Sequence, residues 1–353
     1  MTRMALAAAM LLAGAARGEE AVWRVETAKG WFDDALALDD AGGRLALVVN
    51  DGEGGLDLEV RDVEHQGAVV ARAALGDVVP AGLVFTRVGP MVLVRRDDTA
   101  LAVLYDAAGR RVRTYGPANE IAHAVRGGRE LVAVVTRRGA THEVVLHDVA
   151  RGKVLVKRVV GDADFTPRTW RNGWTAVGGR RAGRYDPKLD RRTNDTEAVW
   201  DVVEGRFVSE GATDLVTQAR VLRERERRPG AGAFVFVDGG RLWAVTEDDR
   251  LAPVELPLST YEVESLRQQA RGDEITFSLR VDPLNPEAIA RQKRDPEAFE
   301  VFRWSGGTVT RVLRLVGDGR EVVWHAAGGR IAVLRKHRAF GRGGPEVAVY
   351  PLR

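Results

Sequence analysis

The sequence predicts an all-β chain, a seven-bladed β-propeller whose ring closes when an N-terminal strand at about 21–29 pairs with the last blade at about 320–352. Three observations carry this reading. A strand-and-turn segment recurs at intervals of 42 to 57 residues, glycine turns separate alternating apolar and polar runs, and the last repeat is one strand short.

The recurring segment is a short β-prone run ending in a residue plus Asp, followed by a turn. It reads LEVRDV at 58–63, AVLYDA at 102–107, VVLHDV at 144–149 and EAVWDV at 197–202. Degenerate copies follow as WAVTED at 243–248, EVFRWS at 300–305 and VAVYPL at 347–352. Each copy is preceded by a strand that a Gly-containing turn opens, such as GGRLALVVN at 42–50 or GGRIAVLR at 328–335. Further strands lie upstream and downstream, as in WFDDALAL at 31–38 and GKVLVKRVV at 152–160. Four short strands per repeat, half-buried by their alternation, make one propeller blade.

The last repeat has GREVVWHA, GGRIAVLR and EVAVYPLR and then ends. AVWRVETAK at 21–29 is a spare strand ahead of the first complete repeat. Pairing the two removes the open edges that would otherwise template aggregation.

The repeat resembles that of the WD40-like and YVTN-like β-propeller superfamily over residues 21–353. Only Trp200-Asp201 is a literal WD pair, and the Gly-His pair that opens a WD40 repeat is missing. The resemblance implies the ring and leaves function to be argued from the sites grafted on it.

The first residues read as a secretory signal peptide, 1–18, with Arg3 ahead of the apolar run 5–16 and small residues before Glu19. The expectation is a single propeller domain at 19–353, periplasmic or secreted, in a bacterial-looking Arg- and Ala-rich chain. With no cysteine, that domain has neither disulfides nor a lipidated Cys. Net charge is +3, and losing Arg3 and Arg17 leaves about +1, so no overall field steers the chain to nucleic acid. No later apolar run is long enough to be a transmembrane segment.

Function is sought where the blades are elaborated. Let the top be the face that carries the loops between second and third strands and the connections between blades. Three neighbouring insertions fall there. Blade four carries 179–197 with Arg180, Arg181, Arg184, Lys188, Arg191 and Arg192. Blade six carries 282–300 with Arg291 and Arg294, where Pro286 and Glu287 open a predicted helix. Blade seven carries 336–346 with Arg338, Phe340 and Arg342. The alternating run 223–228 of blade five falls on the opposite face and is expected to be a solvated hairpin end.

Catalytic signatures are scarce. No HExxH, GxSxG or phosphate loop is present, and the expectation is a non-catalytic chain without a cofactor. One pattern supports a rival reading. Innermost strands begin with acids, among them Asp34, Glu120, Asp164, Asp214, Glu262 and Glu321, and His123 and His325 share those strands. Converging at the central channel mouth, such groups would hold Ca²⁺ or another divalent ion, or serve a metal-dependent hydrolase. The preferred expectation is a scaffold, monomeric outside its assembly. Its top-face loops of blades four, six and seven would bind a protein partner or an anionic envelope component.

Overall fold

The computed structural model describes residues 21–26, 31–50, 55–76, 78–139, 141–162, 164–183, 185–188, 191–192, 196–208, 220–221, 223–225, 227–228, 231–256, 263–281, 286–287, 290, 298–315, 322–335 and 346–352. They form seven small antiparallel sheets in a ring. Blade one is β2 (Trp31–Leu38), β3 (Arg44–Asn50), β4 (Leu56–Asp62) and β5 (Ala68–Ala74). Blade two is β6 (Val79–Phe85), β7 (Pro90–Arg96), β8 (Thr99–Tyr105) and β9 (Arg111–Ala118). Blade three is β10 (Glu120–Arg126), β11 (Arg129–Arg138), β12 (Thr141–Asp148) and β13 (Val154–Val160). Blade four is β14 (Phe165–Arg171), β15 (Ala176–Arg181), β18 (Thr196–Asp201) and β19 (Arg206–Val208). A separate two-stranded hairpin, β16 (Tyr185–Asp186) with β17 (Arg191–Arg192), stands in its second-to-third loop. Blade five has three described strands, β20 (Phe234–Asp238), β21 (Arg241–Val245) and β22 (Leu251–Val254). Blade six is β23 (Val263–Arg271), β24 (Glu274–Val281), β25 (Phe299–Ser305) and β26 (Thr308–Leu315). Blade seven is β27 (Val322–Ala327), β28 (Arg330–Arg335) and β29 (Glu346–Pro351), completed by β1 (Trp23–Glu26).

The closure has the expected form. Antiparallel register puts Trp23 opposite Val349 and Glu26 opposite Glu346. Trp23 is buried in the seam between blades seven and one, with Leu36, Leu45, Leu334 and Val347. Its ring fills the place a side chain at Gly67 would take, since a Cβ there would lie 1.8 Å from the indole.

The Asp of the repeat has a local job. Asp62 Oδ1 accepts the N–H groups of Glu64 at 2.9 Å and His65 at 3.1 Å. Asp106 Oδ1 accepts those of Ala108 and Arg110, both at 2.9 Å. Asp148 and Asp201 do the same for Arg151 at 2.8 Å and Glu204 at 2.9 Å. Each side chain thereby satisfies the amides of the turn between third and fourth strands. In blade five the Thr246 hydroxyl takes this role, accepting from the Arg250 N–H at 3.0 Å. Third strands also carry a glutamate paired to a base: Glu59 to Arg61 at 2.6 Å, Glu143 to Lys157 at 3.4 Å and Glu300 to Arg311 at 3.2 Å. In blade seven the base comes from the N-terminal strand, Arg24 to Glu346 at 3.3 Å.

Among the described residues, six of the seven seams are filled by apolar side chains of the two flanking sheets. The seam between blades four and five is built differently. There the buried face of blade five, Phe234, Phe236 and Val245, packs on Val221 of a helical segment rather than on blade four. This corrects the expected solvated hairpin. Arg225 is fully buried, and Glu224 is only 3% exposed. The Arg225 guanidinium donates to the carbonyls of Ala231 (2.6 Å), Gly232 and Thr246 (3.0 Å) and pairs with Asp249 at 3.0 Å. Asp249 also pairs with Arg171 at the end of β14, so one carboxylate joins two blades through two arginines. Burial pulls the Arg225 guanidinium below its ordinary value, with Asp249 opposing the shift.

Two outcomes follow for equilibrium unfolding in urea. Trp23→Ala should lower stability by about 3–5 kcal/mol, whereas Val22→Ala, at a half-exposed position, should stay within about 0.5 kcal/mol. Equal effects would contradict closure through Trp23. Arg225→Ala should cost about 3–5 kcal/mol because it strands buried carbonyls and half of the Asp249 pairing. Arg227→Ala, at 66% side-chain exposure, should cost under about 1 kcal/mol.

Candidate functional site

Among the channel candidates, the side chains of His325, His123 and Glu120 are described. His325 on β27 accepts the Leu38 N–H through Nδ1 at 3.1 Å, which ties blade seven to blade one. Its Nε2 lies 3.3 Å from the Gln269 side-chain nitrogen. That amide is itself fixed on the Ala326 backbone, donating to its carbonyl and accepting its N–H, both at 3.1 Å. Both His325 nitrogens thus face inter-blade partners. His123 on β10 keeps a buried Nε2 without a hydrogen-bond partner, and burial lowers its pKa. Glu120 pairs with Arg137 across the β10–β11 hairpin. Asp34 lies on β2, with only its backbone described, and Asp214, Glu262 and Glu321 lie outside the described residues. Among the described residues, no three His, Asp or Glu side chains group as a metal site.

The top-face residues fare differently by blade. Arg180 and Arg181 end β15 at the root of the blade four loop, Lys188 sits in its exposed turn, and Arg191 and Arg192 form β17. Register places Arg192 opposite Tyr185 and Arg191 opposite Asp186. Arg184 lies outside the described residues, as do Arg291, Arg294, Arg338, Phe340 and Arg342. In blade six Pro286, Glu287 and Ala290 are helical, as the sequence predicts.

At the root of the blade four loop, where the seam between blades three and four reaches the top face, lies a pocket of about 340 Å³. Its walls include Asp162, Asp164, Phe165, Arg181, Trp200 and Phe207. The approach of β15 to β14 is tight: a Cβ on Gly179 would come 2.3 Å from the Thr166 carbonyl oxygen. Asp162 Oδ1 accepts the N–H groups of Asp164 and Phe165, both at 2.8 Å, and so shapes the connection between blades. Phe207 is the centre of the aromatic wall. Phe165 meets it edge-on at 5.2 Å, Trp200 at 4.9 Å, and the Arg181 guanidinium lies 4.3 Å over its ring. Trp200 Nε1 is buried with no hydrogen-bond partner.

The sequence singled out Arg181 and Asp164 but not this pocket. Phe165, Trp200 and Phe207 each look like an ordinary strand residue, and only the pairing of β18 with β19 and the packing of β14 bring them together.

No family model and no curated protein matches the chain. Among solved structures it is similar to the β-propeller domain of the Trilobed protease from Pyrococcus furiosus, at 8% identity and TM-score 0.49 over 91% of this chain and 95% of that one. It is also similar to the Dos1 propeller, at 9% identity and TM-score 0.41 over 94% and 95%.

His325 gives a pH prediction. Burial holds its imidazole down to about 4, against about 6.5 in an unfolded chain. Between these values the unfolded chain binds the extra proton, so stability falls as pH drops through that window. A proton on Nδ1 would also remove the acceptor used by Leu38. The expected loss from pH 7 to pH 5 is about 2 kcal/mol in urea titrations. In His325→Gln the drop should be smaller by that amount, and an unchanged drop would refute the assignment.

Proposed function

We propose that this chain is an exported, non-catalytic β-propeller that presents its top face to a partner in the cell envelope. The N-terminal sequence supports export to the periplasm or beyond, and the ring supplies a rigid frame on which a loop varies without disturbing the core. The observation that carries the reading is the β16–β17 hairpin. Blade four inserts an extra two-stranded element into one top-face loop and places Arg191 and Arg192 on it, above Arg180 and Arg181. Such a basic element suits an acidic protein surface or an anionic envelope polymer through exposed, salt-screened contacts.

The test is capture of partners from envelope fractions by the immobilised full chain. Replacing Arg184, Lys188, Arg191 and Arg192 with Ser should weaken capture about tenfold, at about 0.2–1 kcal/mol per exposed contact. Melting temperature should be unchanged, and wild-type capture should fall with added salt. Retained capture in the quadruple variant would refute the hairpin's role.

A further inference from the structure

The pocket between blades three and four holds unspent donors and acceptors of both charges. Among the described residues the Arg181 guanidinium meets no carboxylate; its recorded contact is the Phe207 ring. Asp162 already caps the turn with one oxygen. Exposed Asp164 contributes its backbone carbonyl to Ala182, at 2.8 Å, and keeps its carboxylate uncommitted among the described residues. Between these polar groups stand the aromatic side chains of Phe165, Trp200 and Phe207.

This set discriminates among ligands by charge. A simple anion would find Arg181 but also two wall carboxylates. A simple cation would find the carboxylates, but the Phe207 face it needs is already covered by Arg181. A molecule with both charges on a short scaffold meets neither penalty. We propose that the pocket binds a small zwitterion, an α-amino acid with an apolar side chain. Its carboxylate takes the Arg181 guanidinium, its ammonium takes Asp164, and its side chain lies on the aromatic wall. The volume of about 340 Å³ holds such a molecule whole. The site differs from the hairpin surface: it is concave, lies in a seam, and draws its walls from two blades.

Calorimetric titration of the full chain tests this with L-leucine and L-phenylalanine, each beside its amide and its N-acetyl derivative. The free amino acids should bind, and both end-blocked forms should bind at least about tenfold more weakly, since each loses one charge-assisted contact. Arg181→Gln and Asp164→Asn should each weaken binding at least about tenfold. Asp164 is exposed, so its variant keeps the test valid if a change at Arg181 disturbs folding. The Ser variants of the hairpin should leave amino-acid binding unchanged, which separates this site from the partner-binding surface. No binding of either free amino acid up to about 10 mM overturns the proposal. Equal binding of the N-acetyl or amide form overturns it too, in favour of a purely anionic or purely cationic site.

Discussion

Every other feature depends on the pairing of β1 with β29. A propeller ring has no edge only if its last blade is completed, and here the completing strand comes from the opposite end of the chain. The join repeats the solution used within the other blades. Arg24 supplies a base for Glu346 just as fourth-strand bases do for Glu59 (Arg72), Glu143 (Lys157) and Glu300 (Arg311). Trp23 adds an apolar plug lodged against Gly67 of blade one. The main-chain ladder sets register, the indole brings in the hydrophobic term, and the exposed Arg24 adds little beyond an opposite charge beside a buried carboxylate. Because the two partner strands lie more than three hundred residues apart, closure comes only after a long loop has been ordered, and the cost of that loop is shared by the whole ring.

Most of the ring was legible because its cause is local. Asp62, Asp106, Asp148 and Asp201 recur since a carboxylate one residue before a turn can accept that turn's amides, a geometry fixed within four residues. Threonine does the same with its hydroxyl, which is why WAVTED of blade five is a degenerate copy, with Thr246 in the capping role. The missing fourth strand of blade seven was visible by counting. The alternating run at 223–228 was misleading for the opposite reason. Its signs suit a solvated face, and nothing nearby in sequence shows that Arg225 meets Ala231, Gly232, Thr246 and Asp249. The guanidinium is buried because a planar fork can serve several carbonyls and a carboxylate at once, a fit that depends on tertiary placement.

The candidate sites were only partly legible. An insertion rich in arginine marks itself, so the blade four loop and its place between second and third strands could be read directly, though not the hairpin inside it. The pocket at its root could not. Phe165, Trp200 and Phe207 come from three strands, and each satisfies the same alternation as a residue of the core. His325 illustrates the reverse error. A histidine on an inner strand invites a metal reading, yet its nitrogens are turned to Leu38 and Gln269, where they join three consecutive blades. A ring nitrogen held by a backbone N–H serves as an acceptor in packing, and that use competes with ligation.

The two sides of blade four put these elements in mechanical relation. Toward blade three its seam is apolar, with Trp170, Trp174 and Val177 against Ala133, Val135 and Leu146, and it is also pinned by Arg126 of β10, which donates to both carboxylate oxygens of Asp201. Toward blade five it is polar and directional, through Arg171, Asp249 and Arg225. Apolar contact tolerates small sliding, whereas a shared carboxylate between two arginines holds angle and distance. Blade four is therefore held by a directional ion pair on each side and packed on an apolar face toward blade three. The pocket lies in that packed seam. Held in this way, walls from two different blades can keep a constant spacing, which a recognition site built across a seam requires.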